Sequence, residues 1–371
     1  MLYYPKSNIW KGHSMSITIK DVANLAQVDI SSVSRTLRNH PRAEKLRPET
    51  RLRILEAARK LGYKRNPHAV AMRTGESSSC AVICNGAFNK RQSLASSHAI
   101  CGILDEASSL NLSLHTYQDN DLEGTFAEIV SSRIKFVLSL SSHPGKRQET
   151  AILARKAGVK LVFAYETAVD EFPAVATDNY NVARKIVKCI LAGGHRKIAF
   201  IAGEYQKWHY MQERYNGFMD ELAANGIDPL FRYMVCKEEN TPGIKALLDL
   251  PAAERPTAFF CIGDGLAMKV QLLAYQKGLH LPQDVSVTGF GDEEAGLYAV
   301  SPLTTVHENY ETIGREALSL LVNGNTSLEK DPDGTYRVPA DLIERNSIFQ
   351  LSSSPQKRRK TNKINRKGAE K

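Results

Sequence analysis

A chain of 371 residues, 42% of them hydrophobic, is long enough for a large core and for more than one domain. No run approaches the roughly 18 apolar residues of a membrane span, and the first fifteen residues (MLYYPKSNIWKGHSM) lack the apolar core of a secretory signal. The net charge of +9 is unevenly spread: residues 1–15 carry +2, residues 16–77 carry +7, the tail from Leu351 carries +7 and the stretch between is acidic. Basic ends on an acidic body suit a protein that meets nucleic acid at its termini.

The segment ahead of Met15 reads as a disordered arm or an upstream start. Beyond it, residues 16–63 are dense in helix signals. Thr18 followed by Asp21 is a capping box, and Val22, Leu25 and Ala26 form an apolar stripe at helical spacing. Asp29 caps a second short helix whose inward face is Val33 and Leu37, leaving Ile30, Ser31, Ser32, Ser34 and Arg35 outward. Pro48 suits the first position of a third helix, which runs through Leu52, Leu55, Ala58 and Leu61 to Gly62. Two short helices with a tight turn, braced by a third, predict a helix-turn-helix whose second helix can enter the major groove. The plainer alternative is a three-helix bundle with a solvated basic face.

Residues 64–78 read as a hinge with a helical centre from Ala69 to Met72. From Cys80 onward, strand-like runs alternate with helical patterns: CAVICNG, then SHAICGILDEASSL with Ile100, Ile103, Leu104 and Ala107 on one face, and so on to VSVTGFG. This alternation predicts parallel sheets with right-handed crossovers in two similar subdomains, with a ligand cleft beyond the strands' carboxyl ends. The tail 351–371 has no apolar face and reads as disordered, with auxiliary contact to DNA phosphate as one role and no role as the other.

Several chemistries lack their signatures. The six cysteines (Cys80, Cys84, Cys101, Cys189, Cys236 and Cys261) show no CxxC spacing and no cluster with histidine, so they read as buried reduced thiols rather than zinc ligands. G-x-S-x-G, the P-loop, HExxH and the dinucleotide G-x-G-x-x-G are all absent, which predicts no catalytic residues, no metal and no cofactor. A solute-binding transport protein would need a signal peptide and no headpiece.

The letters "TIKDVANLAQVD..SVSRTL" and "LGYKRNPHAVAM" resemble the headpiece and hinge of the lactose-repressor (LacI/GalR) family. Farther on, "AGGHRKIAFIAG", "ERYNGF", "LPQDVSVTGF" and "SPLTTV" match that family's body, so the resemblance covers roughly residues 16–345. It implies an all-α helix-turn-helix headpiece on a periplasmic-binding-protein-like α/β body of two Rossmann-like parallel-sheet subdomains. The body is expected over 79–350, its first subdomain about 79–177 plus 306–330 and its second about 178–303 plus 335–350.

The function implied is a cytoplasmic, homodimeric transcriptional repressor that binds double-stranded operator DNA and responds to a small effector, possibly a sugar. On the DNA side, Ile30, Ser31 and Arg35 are expected at base edges, arginine being well fitted to guanine. Ser32, Ser34, Arg38 and Asn66 are expected at phosphates, with Ala71 and Met72 at the minor groove, where Met72 stands for the family's leucine wedge. On the effector side, the resemblance implies Asn85, Tyr165, Trp208, Arg214, Asp264 and Glu308.

The departures are specific. Gln27 replaces the family's turn glycine, Asp29 its serine and Arg38 its asparagine, while Gly263 and Gly291 replace polar residues of the effector site. Tyr165 stands where sugar-binding members often carry an acid. Losing polar groups removes hydrogen bonds that sugar recognition would use. Either the effector differs from common sugars, or the cleft has lost its ligand and the chain regulates without one. Arg214 is expected to bind effector oxygens, or else to pair with an acid as a structural residue.

Overall fold

The computed structural model describes residues 17–37, 43, 45–63, 79–85, 94–229, 233–237 and 239–351, in two compact units divided after Ser77. Arg38, Asn66, Ala71 and Met72 lie outside the described residues, as do the hinge, the N-terminal arm and the tail from residue 352.

Among the described residues, the first unit holds three helices, α1 (Ile19–Ala26), α2 (Ile30–Thr36) and α3 (Pro48–Leu61). Each begins and ends where its end residues dictate. The Thr18 amide and hydroxyl both donate to Asp21 Oδ2 at 2.7 Å, which satisfies the first turn of α1. Gln27 takes the left-handed conformation (φ 51°) that closes α1, a position where the related glycine carries no strain. Asp29 caps α2 by accepting from the Ser32 amide at 2.8 Å, and Gly62 (φ 64°) ends α3. Val22, Ala23, Ala26, Val33, Ile54, Ala57 and Ala58 form the core of this small bundle.

Two expected faces are turned. Leu25 is 43% exposed, with Ala23 packed in its place, and Leu52 and Leu55 on α3 face outward while Ile54 and Ala57 point inward. A short helix buries only the arc that touches its two neighbours, and α3 carries more apolar residues than that arc accommodates. Ser32 is also not outward. It is buried, with its hydroxyl donating to Asp29 Oδ2 at 2.6 Å.

The second unit contains two lobes. In the first, β1 (Ser79–Cys84), β2 (Ser113–Gln118), β3 (Phe136–Ser139), β4 (Lys160–Ala164), β5 (Ala174–Thr177) and β11 (Thr335–Val338) form a sheet in the order β11-β5-β4-β3-β1-β2. Every pairing in it is parallel. Such a sheet needs cover on both faces. In β1, Cys80, Val82 and Cys84 pack on one face with Ile103 and Ala107 of α4 (Leu94–Ser109) and Ile313 and Leu318 of α11 (Tyr310–Asn323). Ala81 and Ile83 pack on the other face with Leu122, Phe126 and Ile129 of α5 (Leu122–Ser131) and Ala151 and Ala154 of α6 (Pro144–Ala157). Helices α4 and α11 touch backbone to backbone. A Cβ at Gly102 would fall 1.9 Å from the Glu311 carbonyl oxygen, and one at Gly314 would fall 2.1 Å from that of Ala99.

The second lobe has β6 (Ile198–Ala202), β7 (Met234–Cys236), β8 (Ala258–Cys261) and β9 (Ser286–Thr288) in the order β7-β6-β8-β9, again all parallel. α7 (Asn179–Ala192) and α8 (His209–Ala224) cover one face, and α9 (Thr241–Asp249) and α10 (Asp264–Gln276) the other. A short antiparallel ribbon of β10 (Thr305–His307) and β12 (Asp341–Ile343) joins this lobe's core through Val306 and Leu342. Strand β11 therefore corrects the sequence division: residues 335–338, expected in the second subdomain, complete the first sheet beside β5. The chain crosses between lobes more often than a linear reading can see.

On α4, Leu104 is 53% exposed rather than inward. All six cysteines are free thiols, but only Cys80, Cys84 and Cys261 are buried, and Cys101 is exposed. Among the described residues, no helix is long and apolar enough to cross a membrane and no cluster is fit to hold a metal ion.

Candidate DNA interface and ligand cleft

In the first unit, the outward side chains of α2 are held in a defined arrangement. Arg35 donates from Nε to the Ser31 carbonyl at 3.1 Å and from Nη2 to Ser31 Oγ at 2.7 Å. Ser31 Oγ in turn donates to Asp29, whose carboxylate lies 4.0 Å from the Arg35 guanidinium. The hydroxyls of Ser31 and Ser32 and the Ser32 amide hold the Asp29 carboxyl well below the usual carboxylate range, so it is ionised in any ordinary buffer. Ile30 and Ser31 are exposed, and Ser34 and Arg35 half-buried. The face thus presents an isoleucine, a serine and a guanidinium with donors oriented in advance. Asp29 is spent on the cap and on Ser31, which explains how an acid is tolerated at this position.

In the second unit, residues just past the carboxyl ends of strands from both sheets, Asn179 after β5 and Ile262 after β8, meet around Arg214. Arg214, on α8, is 5% exposed and pinned on all three nitrogens. Nε donates to Asn179 Oδ1 at 2.8 Å, Nη1 to the Ile262 carbonyl at 2.9 Å and Nη2 to Glu308 Oε1 at 2.5 Å. Its guanidinium lies over the Phe290 ring, 3.7 Å from the centroid. Glu308 is also held by the Tyr310 hydroxyl. Asp264 is wholly buried, accepting from the Thr305 hydroxyl at 2.5 Å and the Glu293 amide at 2.8 Å, and burial pushes its carboxyl up to about 6. These three expected ligand contacts therefore bond within the protein and expose almost no polar surface.

The remaining expected residues are partly open. Asn85 follows β1 and donates to Ser142 Oγ at 3.2 Å. Tyr165 follows β4 with φ 78° and meets Tyr310 edge-on at 5.9 Å. Trp208, just before α8, meets His143 of the opposite lobe edge-on, with ring centroids 6.0 Å apart. The lobes are joined again where Arg337 of β11 pairs with Glu213 of α8 at 2.7 Å.

Sequence reasoning missed Glu166 and Arg147. Glu166 directly follows Tyr165 and is 2% exposed, beside the Tyr210 amide and the Arg147 guanidinium. Burial pushes its carboxyl up to about 7, while the Arg147 guanidinium and the Tyr210 amide act in the opposite sense. Arg147, on α6, is 3% exposed; it donates from Nη2 to the Thr167 carbonyl and leaves Nε unpaired. The visible signal was an acid one residue past the position where the family pattern sought one.

A basic helix-turn-helix unit followed by a body of two parallel-sheet lobes is the architecture of a DNA-binding regulator. The model for "Bacterial regulatory proteins, lacI family" matches residues 18–66, and that for a periplasmic binding protein-like domain matches residues 187–348. The HTH-type transcriptional repressor CytR of Escherichia coli (strain K12) is 31% identical over 357 residues, covering 92% of this chain and 99% of its own. The probable HTH-type transcriptional repressor ExuR of Bacillus subtilis (strain 168) is 27% identical, covering 89% and 99%. Among solved structures, the lac repressor dimer bound to operator and the anti-inducer ONPF shares the fold, with a TM-score of 0.70 at 21% identity over 90% of this chain and 99% of that one. The chain belongs to the LacI family of bacterial regulatory proteins.

Proposed function

We propose that the chain is a cytoplasmic transcriptional repressor that binds operator DNA as a homodimer, and that a small metabolite between the lobes of its body tunes this affinity. Headpiece 16–63, hinge 64–78 and body 79–350 are the working parts of this reading. The observation that carries it is the outward face of α2, where Asp29 and Ser31 hold the Arg35 guanidinium ready for a guanine edge. Ile30 and Ser31 read neighbouring bases. Ser34, Arg38 and Asn66 meet phosphates, and Ala71 and Met72 the minor groove. Ser32, buried against Asp29, positions α2 rather than touching phosphate.

Family membership supports a regulator rather than an enzyme. Its relatives include the repressors CytR and ExuR, and a related structure is a CelR–cellobiose complex, which favours a sugar or similar compound and a part in carbohydrate use. Asn85, Tyr165 and Trp208 line the proposed cavity, while Arg214, Asp264 and Glu308 shape it from behind.

A second reading, a regulator without a ligand, is favoured by one observation: the polar groups of Arg214, Asp264 and Glu308 are satisfied within the protein. The buried charged pair of Glu166 and Arg147, which serves no bond between the lobes' strands, weighs against it. Titrating full-length protein with DNA selected from a random library, with and without metabolites, tests both. Operator affinity that no metabolite changes would select the second reading.

A further inference from the structure

We infer that the first lobe holds a second ligand site, at the amino end of β4, that takes a short acidic peptide in extended form. It is separate from the residues between the lobes, such as Tyr165, which lie past the carboxyl end of the same strand.

Strand β4 is paired along one side and only partly along the other. On the β3 side its register runs from Lys160 opposite Phe136 to Phe163 opposite Ser139. On the β5 side only Phe163 and Ala164 are paired, with Ala174 and Val175. The Lys160 amide donates to the Lys135 carbonyl at 2.9 Å, towards β3, and the Phe163 amide to the Pro173 carbonyl at 3.0 Å, towards β5. Main-chain groups alternate in direction along a strand, so the N–H and C=O of Leu161 face the β5 side. There the register would bring residue 173 to the Leu161 carbonyl, and a proline has no N–H to give. Among the described residues nothing bonds to either main-chain group of Leu161, although the residue is only 3% exposed. Buried main-chain donors and acceptors are nearly always paired.

A cavity of about 690 Å³ opens at this gap. Its size falls within the ~300–1,000 Å³ typical of small-molecule sites. Leu320 and Leu321 at the end of α11 give it an apolar wall with Phe172, and Lys160 and Lys330 also line it. The acids around it are already engaged. Arg155 pairs with Asp170 at 3.0 Å and with Glu171 at 2.5 Å, while Asp333 accepts from the Thr335 amide at 2.9 Å and hydroxyl at 3.1 Å. The lysines differ. Among the described residues each ammonium meets only a ring, Phe136 at 5.5 Å from Lys160 and Tyr336 at 5.8 Å from Lys330.

An open N–H beside an open C=O is the edge of a strand, and its complement is another extended peptide. Such a peptide continues the ladder where Pro173 breaks it. The two ammoniums select carboxylates on it, and the leucine wall takes an apolar side chain.

The test uses the full chain and three classes of probe. The first is N-acetyl dipeptides that join leucine to glutamate or aspartate in either order. The second replaces the acids with glutamine or asparagine and amidates the end, and the third is octanoate, an anion without an amide. A ligand for the folded state raises the thermal midpoint by mass action, so the acidic dipeptides should raise it and the other two classes should not. Hydrogen exchange places the effect: a bound dipeptide should slow exchange of the Leu161 amide by about tenfold or more. Lys160→Gln combined with Lys330→Gln should weaken binding by about tenfold. Pro173→Ala, which supplies an N–H to the Leu161 carbonyl, should weaken it as well.

Four results would overturn the inference. No shift with any acidic dipeptide would remove the site. An equal shift with the neutral dipeptides would contradict the preference for acids. Octanoate acting as well as the dipeptides would leave no part for strand pairing. A shift that leaves exchange of the Leu161 amide unchanged, or that survives the double lysine substitution, would put the dipeptide elsewhere on the protein.

Discussion

Arg214 and Glu308 form a buried ion pair, Nη2 to Oε1 at 2.5 Å, in which each side chain has additional partners of its own. The two residues are 94 apart in sequence, on α8 and just after β10, so the pair ties the second lobe to the crossing segments. A guanidinium with its nitrogens divided between an amide, a carbonyl and a carboxylate is held rigidly.

Removing one member of this pair leaves the other charge buried alone, which costs about 3–5 kcal/mol. Arg214→Ala should therefore lower the thermal midpoint of the full chain markedly. Arg214→Met combined with Glu308→Gln should lose less than the two single changes summed, because the stranded charge is gone. Strictly additive losses in thermal denaturation would show that the two residues do not act as a pair.

Asp29 is predicted to stabilise α2 through its cap. Asp29→Ala should cost the headpiece about 1 kcal/mol, whereas Asp29→Ser, which restores an accepting oxygen, should cost much less. Helix content followed by circular dichroism during heating checks this. Equal stability of Asp29→Ala and the parent would contradict the capping role.

Two buried acids sit above their ordinary values of 4.5 and 3.8, Glu166 at about 7 and Asp264 at about 6. Glu213 is raised in the same sense, while His195 and His209, lowered by burial, oppose them at the acid end. A raised acid holds its proton in the folded state after the unfolded chain has lost it, so stability falls as pH rises through this window. The body should be more stable at pH 5 than at pH 8. Glu166→Gln should flatten the upper part of the decline while Asp264 keeps the lower part. Midpoints measured across this range that rise with pH would reverse the sign argued here.

Much of the architecture was legible in the sequence because its signals are local. Caps such as Thr18 with Asp21 and Asp29 with Ser32 depend on residues three apart, and the parallel strands announce themselves as apolar runs between helices. Burial direction was less legible. Leu25, Leu52, Leu55 and Leu104 fit helical periods but face solvent, since the width of a buried arc is set by neighbouring helices that the period does not contain. Strand β11 was assigned to the wrong lobe because its partner β5 lies some 160 residues earlier.

The site was legible in its residues more than in their roles. Arg214 and Glu308 were both named, and pairing with an acid was one of the two roles foreseen for Arg214, but the choice between pairing and ligand binding needed the distance. Glu166 and Arg147 were missed because what marks them is deep burial of charged groups, a property of the folded chain alone.

The central claim is that α2 reads bases in an operator, and sequencing the DNA retained by full-length protein from a random library tests it most directly. The expected result is one palindromic motif, as a two-fold dimer requires, with Arg35→Ala losing a guanine preference in each half-site while keeping weak, salt-sensitive binding. Retained DNA with no enriched motif, or a motif that Arg35→Ala leaves unchanged, would contradict it.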